Sequence, residues 1–152
     1  MIKKVAILIL SVFALTACKQ STDVDLDAQI EAIAVALRAT TAFSTDRLHY
    51  QPGDSVMLRL ENTTDHIIGY NLCTATLEVK RDDKWVSQPS LRICTAALFP
   101  LQPQESTGEH YPLDASLASG TCRFALKIYS LEIDASEKRA NSAIYSNTFN
   151  VE

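Results

Sequence analysis

Nine residues near the C-terminal end, Thr121-Cys122-Arg123-Phe124-Ala125-Leu126-Lys127-Ile128-Tyr129, constrain the fold most. Cys122, Phe124, Leu126 and Ile128 share one face of an extended chain, and Arg123 and Lys127 lie on the other. On a helix the four apolar residues would split between two opposite sides. Period two therefore predicts a half-buried strand. Ser55–Asn62 repeats the pattern, with Val56, Leu58 and Leu60 against Arg59 and Glu61. Thr76–Lys80 and Leu91-Arg92-Ile93 alternate too, Ile67–Leu72 is a further run, and Ile144–Val151 reads as a final strand. Turn chemistry separates these runs. Pro52-Gly53 combines a fixed φ with a residue free to take positive φ, Asn62–Asp65 is a polar cluster, and Asp82-Asp83 precedes Trp85-Val86. Short strands at this spacing predict an all-β sandwich or barrel. Leu26 to Leu37 is ambiguous. Leu26, Ile30, Ile33 and Leu37 fit a helical stripe, and Ile33, Val35 and Leu37 fit strand alternation. The strand reading, over residues 32–38, is the expectation carried forward.

The N-terminus has a different character. Met1-Ile2-Lys3-Lys4 is cationic, Val5–Ala14 is apolar apart from Ser11, and Leu15-Thr16-Ala17-Cys18 follows. This order describes a secretory signal peptide. The apolar run is too short for a permanent span, which needs about 20 residues. Leu15-Thr16-Ala17-Cys18 resembles the bacterial lipobox. The resemblance implies that residues 1–17 are a lipoprotein signal peptide and that Cys18 becomes the acylated first residue. Each buried CH₂ contributes about 0.8 kcal/mol, so several acyl chains anchor stably where one is marginal. Residues 18–31 are then the lipidated Cys and a polar tether bearing Asp23, Asp25 and Asp27, and residues 32–152 form the β domain. Lys19 does not match the Asp that favours inner-membrane retention in enterobacterial lipoproteins. The resemblance therefore points to the outer membrane, facing the periplasm.

A second resemblance covers about residues 42–152. Tyr50-Gln51-Pro52-Gly53-Asp54-Ser55-Val56-Met57-Leu58-Arg59-Leu60-Glu61-Asn62 resembles the opening of bacterial immunoglobulin-like domains in envelope lipoproteins. Gly69–Cys73, Leu77-Glu78, Lys84–Val86, Arg92–Cys94, Leu101–Pro103, Gly120–Phe124 and Ser146–Val151 continue the match. It implies an immunoglobulin-like β-sandwich. It says little of function, because sandwiches host unrelated activities. It also implies a disulfide between Cys73 and Cys94, which bracket the segment containing Trp85. Such a bridge suits an exported domain, and closing about 20 residues contributes roughly 3 kcal/mol in the chain-entropy model. Relatives commonly carry Tyr or Phe where this chain has Cys122. That thiol is expected to be a small buried hydrophobe.

Several chemistries are disfavoured. The net charge is −4, and removal of Lys3 and Lys4 with residues 1–17 takes it to −6. An acidic chain without a basic stripe is not expected to bind nucleic acid. Four glycines leave no phosphate-cradling loop, and no cofactor is expected. Cys73, Cys94 and Cys122 are too widely spaced for structural zinc, even with His49, His66 or His110. Gly53-Asp54-Ser55 superficially resembles the nucleophile block of GDS-type esterases. That chemistry needs a downstream Asp-x-x-His, whereas Asp46 to His49 lies upstream. The expectation is a non-catalytic binding or structural module of the envelope, with a protein partner. Trp85 is a possible contact, since Trp is enriched at binding hot spots. The alternative is a proteinase inhibitor of immunoglobulin-like design, using the proline-bearing segment Leu98–Pro103.

Overall fold

The computed structural model describes residues 26–90, 92–131 and 141–152. One helix, α1 (Leu26–Thr40), precedes the strands β1 (Thr41–Thr45), β2 (His49–Tyr50), β3 (Ser55–Asn62) and β4 (Ile68–Tyr70). Then come β5 (Thr76–Arg81), β6 (Lys84–Ser87), β7 (Phe99–Leu101), β8 (Ser106–Pro112) and β9 (Gly120–Ser130). β10 (Asn141–Tyr145) and β11 (Phe149–Val151) complete the order. The described residues are thus mostly strands in sheets, with one α-helix among them.

Two sheets form. The smaller is antiparallel, in the order β1-β3-β8. The larger is organised on β9. One flank of β9 pairs with β5 and then β4, and the other with β11 and then β10. β6 adds to β5, β7 adds to β4, and β2 runs parallel to β11. The alternating residues explain why the two sheets meet. Val56, Leu58 and Leu60 of β3 and Cys122, Phe124, Leu126 and Ile128 of β9 are at most 1% exposed and belong to one apolar cluster. Tyr111 meets Phe124 edge to face across the layers, with ring centroids 4.7 Å apart.

The turns form as their chemistry requires. Asp54 N–H donates to the Gln51 carbonyl at 3.0 Å, with Gly53 at φ +87°. Asp82 and Asp83 both take positive φ, which matches the twist of the β5–β6 hairpin.

Three expectations need correction. Ile144–Val151 is two strands, not one, because β9 pairs with β10 over Ala125–Tyr129 and with β11 over Gly120–Cys122. At the step between them Ser146 N–H donates to the Phe124 carbonyl, and Phe124 N–H donates to Ser146 Oγ, both at 2.9 Å. A side chain thereby replaces the lost backbone acceptor. Leu91-Arg92-Ile93 is not a strand: Leu91 lies outside the described residues, and Arg92 and Ile93 sit in an irregular loop.

The third correction is the first strand expected over 32–38. Those residues are helical, and the helix also takes in 26–31, the last part of the expected tether. Five alanines, Asp27 in the first turn and Arg38 in the last favour helix. Ile33, Ala34 and Leu37 pack inward, and Leu37 joins the core cluster. Val35, which a strand would bury beside Ile33 and Leu37, is 52% exposed. Arg38 Nε ties the helix to Ser142 Oγ of β10 at 2.9 Å. Leu37→Ala should destabilise the domain by about 2–5 kcal/mol in chemical denaturation, whereas Val35→Ala should stay within about 0.5 kcal/mol. Equal losses at both positions would contradict the helical packing.

Candidate binding surface

Cys18 and the signal peptide expected over residues 1–17 lie outside the described residues. Among the described residues no helix is long and apolar enough to cross a membrane.

Cys73 and Cys94 form a disulfide, with Cα atoms 5.6 Å apart. Asn71 explains how the chain arrives there. Its side-chain oxygen accepts from Cys73 N–H at 3.1 Å, capping a short 3-10 turn over Leu72–Thr74. That turn separates β4 from β5. The amide of Asn71 then donates to the carbonyls of Thr95 and Ala97 at 2.8 and 2.9 Å. On the near side, Arg92 pairs with Glu109 of β8 and stacks on Tyr111, 4.8 Å from its ring centroid. Ile93 sits between these clamps and is 99% exposed. Thr95, Ala96 and Ala97 beside it are exposed as well. A fully exposed isoleucine on a segment held at both ends is a preorganised apolar contact. Sequence reasoning placed Ile93 in a strand and missed this. The signal was the cysteine beside it: a crosslinked residue is fixed, so its apolar neighbour either packs or is presented.

The expected inhibitory segment Leu98–Pro103 does not protrude. Phe99–Leu101 is β7, paired with β4, and the Leu101 side chain is in the core.

Trp85 lies on the outer face of the larger sheet. Arg123 of β9 is stacked between Trp85, at 4.2 Å, and Tyr145 of β10, at 3.9 Å, and its Nε meets Glu78 at 2.7 Å. This ladder runs across β6, β5, β9 and β10. Each half-desolvated cation–π contact is worth about 0.5–2 kcal/mol, so Trp85 pins the β6 edge as well as offering a surface.

The three histidines are far apart in role. His49 faces Glu152 at 3.0 Å, His66 faces Asp65 at 3.1 Å, and His110 Nδ1 is 3.2 Å from Ser55 Oγ. Ser55 thus has a histidine neighbour where β3 and β8 pair, and among the described residues no carboxylate pairs with the His110 ring. No group of three potential metal ligands occurs among the described residues.

Two titrating groups have a structural consequence. Burial raises the Asp46 carboxyl, but hydrogen bonds from Tyr50 and from the Met57 N–H, with Arg47 nearby, outweigh it and hold the group below its ordinary 3.8. Burial pushes the Cys122 thiol up to about 11, only partly offset by Arg81. The thiol is therefore held protonated at neutral pH and is a poor nucleophile.

No family model matches the chain, and no curated protein matches it. Among solved structures it is similar to Spo0M, the sporulation control protein of Bacillus subtilis, at 13% identity and a TM-score of 0.40. The match covers 74% of this chain and 49% of that one, so the chain spans about half the length of Spo0M. That degree of likeness bears on neither fold family nor function.

Two outcomes follow. The folded-state value of Asp46 is depressed, so its contribution is present above the unfolded carboxylate range and is lost as pH falls through the folded value. Asp46→Asn should flatten the decline in melting temperature below about pH 4; an unchanged acid limb would remove Asp46 from that role. Cys122 should resist iodoacetamide at pH 8 in native protein and react once the chain is unfolded. Rapid native labelling would show that β9 is not closed over it.

Proposed function

We propose that this chain is the precursor of a lipid-anchored envelope lipoprotein whose immunoglobulin-like domain is a non-catalytic protein-binding module. The observation that carries the binding role is the clamped loop presenting Ile93. An apolar side chain presented outward on an already ordered backbone is the kind of anchor on which interface energies concentrate. The lipobox-like Leu15–Cys18 supports anchoring at Cys18, and Lys19 supports the outer membrane over the inner. The strand partition supports the immunoglobulin-like reading. Lettered in chain order, β1, β3 and β8 correspond to A, B and E, with β4/β5, β9 and β10/β11 as C, F and G on the other sheet. One departure stands against a direct copy of antibody domains: the bridge is Cys73–Cys94, and the cysteine on β9 is unbridged.

A second reading, a proteinase inhibitor acting in the envelope, is favoured by the same loop. The bond after Ile93 leads into Cys94, so a cut there would leave the new end at Cys94 held by the disulfide and the Asn71 amide, and the end at Ile93 held through Arg92 on Glu109 and Tyr111.

Three measurements separate these statements. Radiolabelled palmitate should enter the wild-type protein and not Cys18→Ala; persistent labelling would remove the anchor. Ile93→Asp should leave the melting temperature unchanged and weaken a photo-crosslink formed from position 95 in intact envelopes. An equally strong crosslink in Ile93→Asp would take the binding role away from this loop. Inhibition of an elastase-type protease that Ile93→Asp abolishes would select the inhibitor reading, and no inhibition at micromolar protein would discard it.

A further inference from the structure

Beside the Ile93 loop, and separate from it in chemistry, lies a groove of about 590 Å³ between β5, the start of the 88–98 loop and the chain after β8. That size falls in the range of small-molecule sites, roughly 300–1,000 Å³. Leu77 and Leu113 form buried apolar wall, and Leu117, Pro89 and Pro112 extend it. Its charged members are Arg81, Arg92 and Asp114.

The charges are unequally satisfied. Asp114 Oδ1 accepts from both the N–H and the Oγ of Ser116 at 2.7 Å, so its own turn holds it. Arg81 makes no ion pair among the described residues. Arg92 is 18% exposed in its side chain, with one edge on Glu109 and its face on Tyr111. Its Nη1 is buried and has no hydrogen-bond acceptor. A buried charged donor without an acceptor is costly, by about 1–3 kcal/mol or more, and asks for an explanation. Two guanidinium groups line this aliphatic spot; Glu109 holds one edge of Arg92 and Ser116 holds Asp114, so Arg81 and the Nη1 edge of Arg92 are the donors left for a ligand. The wall that carries Arg92 is clamped by the disulfide, so the spot is preorganised.

We propose that this groove binds an acyl-chain carboxylate, with the hydrocarbon along Leu77, Leu113 and Leu117 and the carboxylate between Arg81 and Arg92. A small turn of the Arg92 guanidinium on Tyr111 brings Nη1 to the ligand and supplies the acceptor it lacks. Arginine suits the role because its fork matches a carboxylate's two oxygens. The aliphatic wall accepts a flexible hydrocarbon and presents no row of backbone groups to read a peptide.

The test uses the full chain with Cys18→Ser, so that no attached acyl group competes. Octanoate, octanol and N-acetyl-leucyl-leucine are titrated by calorimetry and by amide chemical shifts. Octanoate should bind and shift residues lining the groove, with octanol about tenfold weaker or worse, the loss of one charge-assisted contact being near 1.4 kcal/mol. Arg81→Gln should weaken octanoate by a similar factor, whereas Lys84→Gln, in the same hairpin but outside the groove, should not. Arg81 is exposed, so its variant tests the charge without disturbing the Arg92 stack. The proposal is overturned by no binding at millimolar octanoate, by equal binding of octanol, or by an unaffected Arg81→Gln. Tighter binding of the dipeptide than of octanoate would overturn the assignment to an acyl chain.

Discussion

The burial of the inward face of β9 is the constraint on which the rest depends. Cys122, Phe124, Leu126 and Ile128 are closed off on one side of an eleven-residue strand that has partners along both flanks. A shift of one residue would turn these four outward and put Arg123 and Lys127 into the core. That register is consequently set strongly, and it sets the others. β5 and β4 must align on one flank, β10 and β11 on the other, and the smaller sheet must cover the exposed side with Val56, Leu58 and Leu60. The outer face of β9 gains its order from the same register. Arg123 can stack between Trp85 and Tyr145 only because Phe124 faces in.

The loop clamp is a consequence of how the flank is interrupted. β4 and β5 both lean on β9, and the chain passes between them through the turn capped by Asn71. That break turns the buried Asn71 amide toward the Thr95 and Ala97 carbonyls and places Cys73 where Cys94 can reach it. One residue thereby caps a turn and fixes two carbonyls of a distant loop. The loop carries Ile93 outward and Arg92 inward, so one clamp supports both the exposed contact and one wall of the groove. Preorganisation of this kind lowers the ordering cost of binding without adding a contact.

Much of the fold was legible because alternation is a local property. Ser55–Asn62, Thr76–Lys80 and Thr121–Tyr129 are readable as strands from alternation alone, and the inward set on β9 is the one alternation predicts. The Cys73–Cys94 bridge was implied by family resemblance, and the structure contains it. What failed was decided elsewhere in the chain. Leu26–Leu37 supports two periods, and the choice of helix rests on packing α1 against β9 and β10, distant in sequence, together with alanine propensity. The strand expected at Leu91–Ile93 rested on three residues, too few for a period. Leu98–Pro103 reads as a loop from its prolines, yet β7 is an edge strand, where a missing N–H is tolerated. The exposed Ile93 had no periodic signal, since its position comes from a crosslink and an amide fork.

Native-state hydrogen exchange of individual amides tests the central role of β9 most directly. If β9 is the spine, the amides of Phe124, Leu126 and Ile128 exchange only through global unfolding, at the free energy and denaturant dependence of the whole domain. Exchange of these amides through a smaller opening, while β3 and β8 remain protected, would contradict the account.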